Sequence, residues 1–226
     1  MKTIGIIGRA YRNYNKQEIF QVNDFVRRTL APYSNVVPIL ILPTGDHIYC
    51  DLKKNSDSFT QTDITRLNHI LNQCDGFIAP GGSSWFNFDA HIIQHAIKKD
   101  KPLLAICAGF QCLCSLYATK TKPKLSFIPG DTHHNNSREY SHTNYIVPET
   151  KLHHIIKQNE ILVNSVHHYC VKFAFHDLVI NAKSIDGLIE GVELPGKKFI
   201  LGIQWHPEYF TDEPSTRLFN DFVKNL

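Results

Sequence analysis

The first half of the chain alternates between short apolar runs and segments in which apolar residues recur every three or four positions. The first pattern predicts buried strands and the second predicts helices. The predicted strands cover residues 4–7, 36–42, 76–79 and 103–106, and the predicted helices cover residues 17–30, 62–73, 88–99 and 108–117. Strands that alternate with helices of this length are typical of a mostly parallel sheet with helices on both faces.

The second half has a different pattern. Short β-type segments follow one another at residues 161–164, 178–182, 188–192 and 199–203, with little room for helices between them. We therefore expect antiparallel strands added to the parallel sheet, within an α/β fold. A closing helix is predicted at residues 214–226, because Thr211, Asp212 and Glu213 at its entry are typical of a helix N-terminus.

The composition is that of an ordinary globular protein. The 226 residues are 42% hydrophobic and 20% charged, without a repeat or low-complexity tract, so we expect a single domain over residues 1–226. The net charge of +3, with no concentrated basic segment, argues against a nucleic-acid partner. The apolar run before Arg9 is too short for a signal peptide, and the six cysteines are too irregularly spaced for a disulfide framework. A cytoplasmic protein with reduced thiols and no membrane segment is expected.

Cys107 is the candidate nucleophile. An apolar strand runs directly into this residue, and a predicted helix follows at once. Small residues two positions before and after it, Ala105 and Gly109, match the nucleophile elbow of serine hydrolases. At such a turn the sulfur lies at a helix N-terminus, which favours a thiolate. The alternative is a buried core cysteine.

His206 is the candidate base among 13 histidines, because it comes just after the apolar run 199–203. Parallel-sheet folds collect catalytic side chains at the carboxyl ends of strands. Glu208 is close enough in sequence to hydrogen-bond the imidazole and set its tautomer. A structural histidine at a strand end is the alternative, and the accompanying cysteine and carboxylate favour catalysis.

A Pro80-Gly81-Gly82 triplet follows the strand predicted at residues 76–79. Glycines allow backbone N–H groups to approach a ligand oxygen closely. The N–H of Gly82, together with that of Ala108 directly after the nucleophile, could form an oxyanion hole. Most such triplets are merely turns, so this signal is weak alone.

The ordered set of motifs resembles the class I glutamine amidotransferase family, and within it the peptidase C26 branch of free-standing γ-glutamyl hydrolases, which includes γ-glutamyl-γ-aminobutyrate hydrolase. The motifs are Pro80-Gly81-Gly82, the segment from Cys107 to Gln111, the segment Asn164-Ser165-Val166-His167-His168, and the segment from Gln204 to Glu208. The resemblance spans nearly the whole chain and implies a flavodoxin-like sheet.

Carried over by position, the resemblance implies that Cys107 is the nucleophile, His206 the base and then the acid, and Glu208 the orienting carboxylate. The oxyanion donors fall on Gly82 and Ala108. The glutamyl-binding positions fall on Gly81, on the side chain of Gln111 and on the backbone of Ser165, Val166 and His167, for which strand pairing is the alternative. The sequence departs from the hydrolase branch at Ala108, where that branch often has arginine, so the substrate contacts of that arginine do not carry over. The stretch between Gly82 and Pro102 is also shorter than in the polyamine-pathway hydrolases, which leaves the leaving group open.

The resemblance implies cysteine-dependent hydrolysis of a γ-glutamyl amide on a small molecule, without a cofactor. Two alternatives remain: a glutaminase subunit that supplies ammonia to a separate synthetase, and a non-catalytic binding protein. A homo-oligomer or a synthetase partner is possible.

A metal site at the histidine pairs 133–134 and 153–154, with His142, is not expected, because no carboxylate or cysteine stands at helical ligand spacing.

Overall fold

The computed structural model describes residues 1–44, 60–118, 125–130, 133–135, 138–172 and 177–226. The strands are β1 (Lys2–Ile7), β2 (Arg9–Arg12), β3 (Glu18–Gln21), β4 (Val36–Ile41), β5 (Gly76–Ala79), β6 (Leu103–Ile106), β7 (Ser126–Phe127), β8 (His142–Ile146), β9 (Glu160–Val163), β10 (Tyr169–Cys170), β11 (Val179–Ser184), β12 (Ile189–Glu193) and β13 (Ile200–Ile203). The helices are α1 (Asp24–Leu30), α2 (Gln61–Gln73), α3 (Asn87–Lys99), α4 (Ala108–Leu116), α5 (Lys151–Ile156) and α6 (Glu213–Lys224), and a 3₁₀ turn covers Pro207–Tyr209.

The central sheet has nine strands in the order β4-β1-β5-β6-β13-β12-β11-β8-β9. The pairs from β4 to β13 are parallel, and those from β13 to β9 are antiparallel. This confirms the predicted α/β fold with a mostly parallel sheet and antiparallel additions from the C-terminal half. The last strand in sequence, β13, lies beside β6 in the middle of the sheet.

Apolar residues on the two faces of the sheet form two separate cores. Along β5, Phe77 and Ala79 face one core and Ile78 faces the other, as the two-residue repeat of a strand requires. Helices α2, α3 and α4 contribute to the first core, and α1, α5 and α6 contribute to the second. Both faces of the central strands are therefore buried, which explains their continuous apolar sequences.

The prediction of one helix over residues 17–30 was wrong. Strands β2 and β3 form an antiparallel hairpin, and only Asp24–Leu30 is helical. Asn23 sets the helix start, because its side chain accepts a hydrogen bond from the Phe25 N–H at 3.0 Å. Phe20 packs in an extended segment against Phe88, with ring centroids 6.3 Å apart. The helical spacing of apolar residues therefore spanned two different elements.

The second half contains elements that the apolar pattern did not predict, among them the short strands β7 and β10. Strand β8 pairs with both β11 and β9, and the short helix α5 lies between β8 and β9. Thr150 caps α5 by accepting a hydrogen bond from the His153 N–H at 3.2 Å. The expectation of little room for helices in this half was therefore wrong at α5. No helix in the described part of the chain is long and apolar enough to cross a membrane.

Helix α4 packs against β5 with almost no space at Gly109. A Cβ atom added there would lie 2.1 Å from the carbonyl oxygen of Ala79, which belongs to the backbone of a central strand. We expect Gly109→Ala to lower the free energy of unfolding by about 1–3 kcal/mol, because either the helix or the strand must shift. Urea unfolding measures this loss.

Ser115→Ala on the same helix is the control for Gly109→Ala. It removes only the hydroxyl that donates to the Cys112 carbonyl at 2.9 Å. Equal unfolding midpoints for the two variants would contradict the close packing of α4.

Candidate active site

Cys107 occupies the turn between β6 and α4 in a strained conformation. Its φ of +50° and ψ of −105° lie in a region that residues with a side chain rarely adopt. The Cys107 N–H donates to the carbonyl of Ile203 at 2.8 Å, and the Cys107 carbonyl accepts from the Gln111 N–H at 2.9 Å. One bond therefore joins the turn to β13 and the other begins the helix. This geometry is that of a nucleophile elbow.

His206 follows β13, and its backbone is held on both sides by Asn164. The His206 N–H donates to the Asn164 side-chain oxygen at 2.8 Å, and the Asn164 amide donates to the His206 carbonyl at 3.0 Å. The imidazole Nδ1 lies 2.7 Å from Oε1 of the buried Glu208. Because an ionised carboxylate only accepts hydrogen bonds, Nδ1 carries a proton and Nε2 is the nitrogen free to exchange one with the sulfur.

The cysteine and the imidazole meet at Gly81. A Cβ atom at Gly81 would lie 2.3 Å from His206 Cε1 and 3.3 Å from the Cys107 Cβ. The Cys107 thiol and the His206 imidazole are also close enough for each to shift the pKa of the other. The turn after β5, the elbow after β6 and the histidine after β13 thus converge on one point, and a side chain at position 81 would displace the imidazole.

Opposite charges shift the pKa values of the pair in opposite directions. Burial alone would raise the pKa of the Cys107 thiol, but the charge and hydrogen bond of His206, followed by the charge of His167, hold it below its usual value. Burial alone would lower the pKa of His206, but the negative charges of Glu208 and Cys107 raise it well above its usual value. Both shifts favour a thiolate beside an imidazolium.

The two predicted oxyanion donors are Gly82, in the turn after β5, and Ala108, directly after Cys107. Gly82 lines the same cavity as Cys107 and His206. Ala108 is the first residue of α4, so its N–H has no carbonyl partner within the helix. A helix N-terminus attracts developing negative charge.

Arg9, at the start of β2, supports the Pro80-Gly81-Gly82 turn. Its Nε donates to the Pro80 carbonyl at 3.0 Å, and its Nη2 donates to the same oxygen. Its Nη1 pairs with the fully buried Asp89 in the first turn of α3. The arginine side chain also packs under Gly82, where an added Cβ would lie 2.9 Å from the Arg9 Cδ. Sequence reasoning treated Arg9 only as the end of an apolar run and assigned no role to Asp89.

The site opens into a cavity of about 660 Å³, a volume in the range of small-molecule sites. Its lining includes Cys107, His206, Glu208, Gly81, Gly82, Val166, Tyr209 and Arg9. Tyr209 received no role from the sequence, although its ring lies against His206 with centroids 5.8 Å apart.

Only two of the five predicted glutamyl-binding residues, Gly81 and Val166, line the cavity. Gln111 is buried, and its amide donates to the Tyr169 carbonyl at 3.1 Å and to the Gln204 side chain at 3.0 Å. The carbonyl of Ser165 and the N–H of His167 bond to a loop behind the cavity.

The hydrogen bonds between this loop and the segment 165–167 do not involve the N–H or the carbonyl of Val166. Asn135 donates to the Ser165 carbonyl at 2.8 Å, and His167 donates to the His133 carbonyl at 2.7 Å. In such an antiparallel bridge, the N–H and carbonyl of the central residue point away from the partner segment. Among the backbone groups predicted to bind the glutamyl part of the substrate, the N–H and carbonyl of Val166 therefore point away from this loop.

Arg9→Met should destabilise the protein by about 3–5 kcal/mol, because it leaves the buried Asp89 carboxylate without its cation. Arg12→Met in the same strand is the control. Arg12 and its partner Glu18 are about half exposed, so this change should cost about 0–1 kcal/mol. Chemical unfolding of both variants gives the comparison, and equal losses would contradict a supporting role for Arg9.

The site residues lie within a segment that matches the profile of a known protein family. The profile of the peptidase C26 family matches residues 87–208, more than half of the chain, including Cys107, His206 and Glu208. A glutamine amidotransferase-like protein of Rickettsia prowazekii is 28% identical over 70% of this chain and 79% of its own length. The γ-glutamyl-γ-aminobutyrate hydrolase PuuD of Escherichia coli is 27% identical over 70% of this chain and 74% of its own length.

A solved structure shares the fold across the chain. The glutaminase domain of Trypanosoma brucei CTPS, solved with bound acivicin, superposes with a TM-score of 0.71 over 99% of this chain and 94% of that chain, at 18% identity. This likeness confirms the glutaminase-type α/β fold. The family match and the named relatives indicate a hydrolase. On the strength of the family match, this chain belongs to the peptidase C26 family.

Proposed function

We propose that the protein is a cysteine-dependent hydrolase that cleaves the γ-glutamyl amide bond of a small molecule and releases glutamate and an amine. The observation that carries this proposal is the convergence of Cys107 and the His206–Glu208 pair on Gly81, at the wall of one cavity. The similarity to a γ-glutamyl-γ-aminobutyrate hydrolase supports the choice of bond. In this proposal, residues 1–226 form one hydrolase domain.

In the first step, the Cys107 thiolate attacks the side-chain carbonyl carbon of the γ-glutamyl group. The carbonyl π electrons move to oxygen, and the N–H groups of Gly82 and Ala108 stabilise the oxyanion. As the tetrahedral intermediate collapses, the C–N bond breaks and imidazolium His206 gives its proton to the departing nitrogen. The products are a free amine and a γ-glutamyl thioester on Cys107.

In the second step, the now neutral His206 takes a proton from water, and the hydroxide attacks the thioester carbonyl. The C–S bond breaks, glutamate leaves, and the thiolate and imidazolium are restored. Glu208 holds Nδ1 of His206 at 2.7 Å throughout and offsets the positive charge of the ring. Each cycle consumes one water and needs no redox partner.

The leaving group is the open part of the proposal. Three aromatic residues follow the Pro80-Gly81-Gly82 turn, but Phe86 and Phe88 are buried in the hydrophobic core and Trp85 packs against it. The second candidate function is a glutaminase that passes ammonia to a separate synthetase. The shared fold with the CTPS glutaminase domain favours keeping this candidate.

A panel of γ-glutamyl amines, tested beside free glutamine with glutamate release as the readout, separates the two functions. We expect preference for a γ-glutamyl amine. Glutamine turnover that rises sharply on addition of a synthetase would support the second function instead.

Cys107→Ala should reduce glutamate release by at least about 10⁴-fold, because no other group can form the thioester. Its melting temperature should stay near that of the unchanged protein. Cys114→Ala, which alters another buried thiol on the same helix, is the control and should keep its activity. Undiminished turnover by Cys107→Ala would refute the proposal.

Iodoacetamide should alkylate Cys107 at a pH below the value of about 8.5 typical of a free thiol, because the imidazolium lowers the thiol pKa. His206→Asn removes that positive charge, so the alkylation midpoint should move to higher pH. Peptide mass spectrometry follows the site, with Cys74 as an internal comparison because burial raises its pKa to about 11. An unmoved midpoint in His206→Asn would show that the two groups do not interact.

A further inference from the structure

A second cluster of ionisable side chains lies behind the cavity wall. It contains His133, His142 and Glu190, which each offer one ligand atom within 4.8 Å of the others. His133 precedes β8, His142 begins β8 and Glu190 belongs to β12. None of the three lines the active-site cavity or takes part in the proposed chemistry.

Glu190 is completely buried, and within the described part of the chain neither of its carboxylate oxygens forms a hydrogen bond. The nearest imidazole nitrogens are His167 Nε2, 3.4 Å from Oε1 but poorly aligned for a hydrogen bond, and His133 Nδ1 at 4.0 Å. Taking a carboxylate out of water without such partners is costly, and buried charges are normally paired or bound to metal. Oε1 lies at ion-pair distance from His167, whereas Oε2 has no polar partner among the described residues and is available as a ligand.

His133 is held with a lone pair on Nδ1. Its Nε2 lies 3.0 Å from Oδ2 of Asp186, whose other oxygen accepts from the Ser184 hydroxyl. Because a carboxylate only accepts, neutral His133 carries its proton on Nε2. Ser165 Oγ is 3.3 Å from Nδ1, but its hydroxyl donates to the His133 carbonyl at 2.9 Å. A carboxylate that orients a histidine in this way is the usual outer-shell arrangement of metal sites.

His142 supplies a second imidazole. Both of its ring nitrogens are shielded from solvent, and neither forms a hydrogen bond with any described residue. Its ring lies 4.7 Å from that of His133 between centroids.

We infer that this cluster binds a divalent transition metal of the zinc class, through His133 Nδ1, a ring nitrogen of His142 and the Glu190 carboxylate. Two imidazoles and a carboxylate suit Zn²⁺, which leaves a fourth position for water. Ligand atoms of tetrahedral zinc stand about 3.3 Å apart. The three ligand atoms lie within 4.8 Å of one another, with 4.0 Å between His133 Nδ1 and Glu190 Oε1, so the side chains must move closer together to bind the ion.

The metal would stiffen the wall of the active-site cavity. The His133 carbonyl accepts from both the Ser165 hydroxyl and the His167 N–H, so the metal-bound loop holds the segment that presents Val166 to the cavity. Sequence spacing could not reveal the site, because its carboxylate comes from β12. The inference does not depend on which substrate the enzyme takes.

Cobalt titration of the Cys107→Ala protein tests the inference, because this background removes the active-site thiol as a competing ligand. We expect one equivalent of Co²⁺ to bind, with the strong visible absorption of tetrahedral cobalt, and Zn²⁺ to displace it. Adding His142→Gln should abolish the bands, and adding Asp186→Asn should weaken binding about 10–100-fold. His154→Gln, an exposed histidine on α5, is the control and should bind cobalt normally.

A rise in the melting temperature of Cys107→Ala with added Zn²⁺ provides a second measurement that needs no further variant. It decides the question if His142→Gln fails to fold. Absence of cobalt binding by Cys107→Ala, or equal binding by a folded His142→Gln variant, would overturn the inference. Neither result bears on glutamate release, so this inference and the proposed hydrolase function can fail separately.

Discussion

Parallel pairing of β5, β6 and β13 is the constraint on which the site depends. Ala79 pairs with Ala105, and Ile106 pairs with Ile203, so the carboxyl ends of the three strands lie at one edge of the sheet. The glycine turn, Cys107 and His206 all follow these ends. Since β13 lies beside β6, a histidine about a hundred positions later in the chain reaches the sulfur without a long loop. The insertion of the last strand into the middle of the sheet thus assembles the site.

The electrostatics of the site follow from this placement. A thiol or an imidazole buried alone would resist ionisation, but each charge here has a buried neighbour of opposite sign. The Glu208 carboxylate contacts Nδ1 of His206 and places a second negative charge, besides that of Cys107, next to the imidazolium. Arg9, which pairs with Asp89, supports the glycine turn through a hydrogen bond to the Pro80 carbonyl. These contacts are also shielded from water. Fixed charges and fixed backbone dipoles of this kind stabilise a transition state without having to reorganise.

The sequence predicted the parts of the fold in which local pattern and burial agree. The bounds of Gly76–Ala79 and Leu103–Ile106 were predicted to the residue, because apolar runs buried on both faces end abruptly at turn residues. The hairpin of β2 and β3 was missed because a chance helical spacing crossed the Asn23 cap. The contact of Arg9 with Asp89 and the approach of Glu190 to His133 each join a strand to a helix or loop that is distant in the chain. No local pattern contains that information, and it comes only from the order of strands in the sheet.

The central claim is that Cys107 becomes acylated during turnover, and its most direct test is intact-protein and peptide mass spectrometry of enzyme quenched in acid while it hydrolyses a γ-glutamyl amide. The account predicts a single γ-glutamyl group, released by hydroxylamine as expected of a thioester and located on the peptide that contains Cys107. Full turnover with no adduct at any time, or an adduct on a different residue, would contradict it.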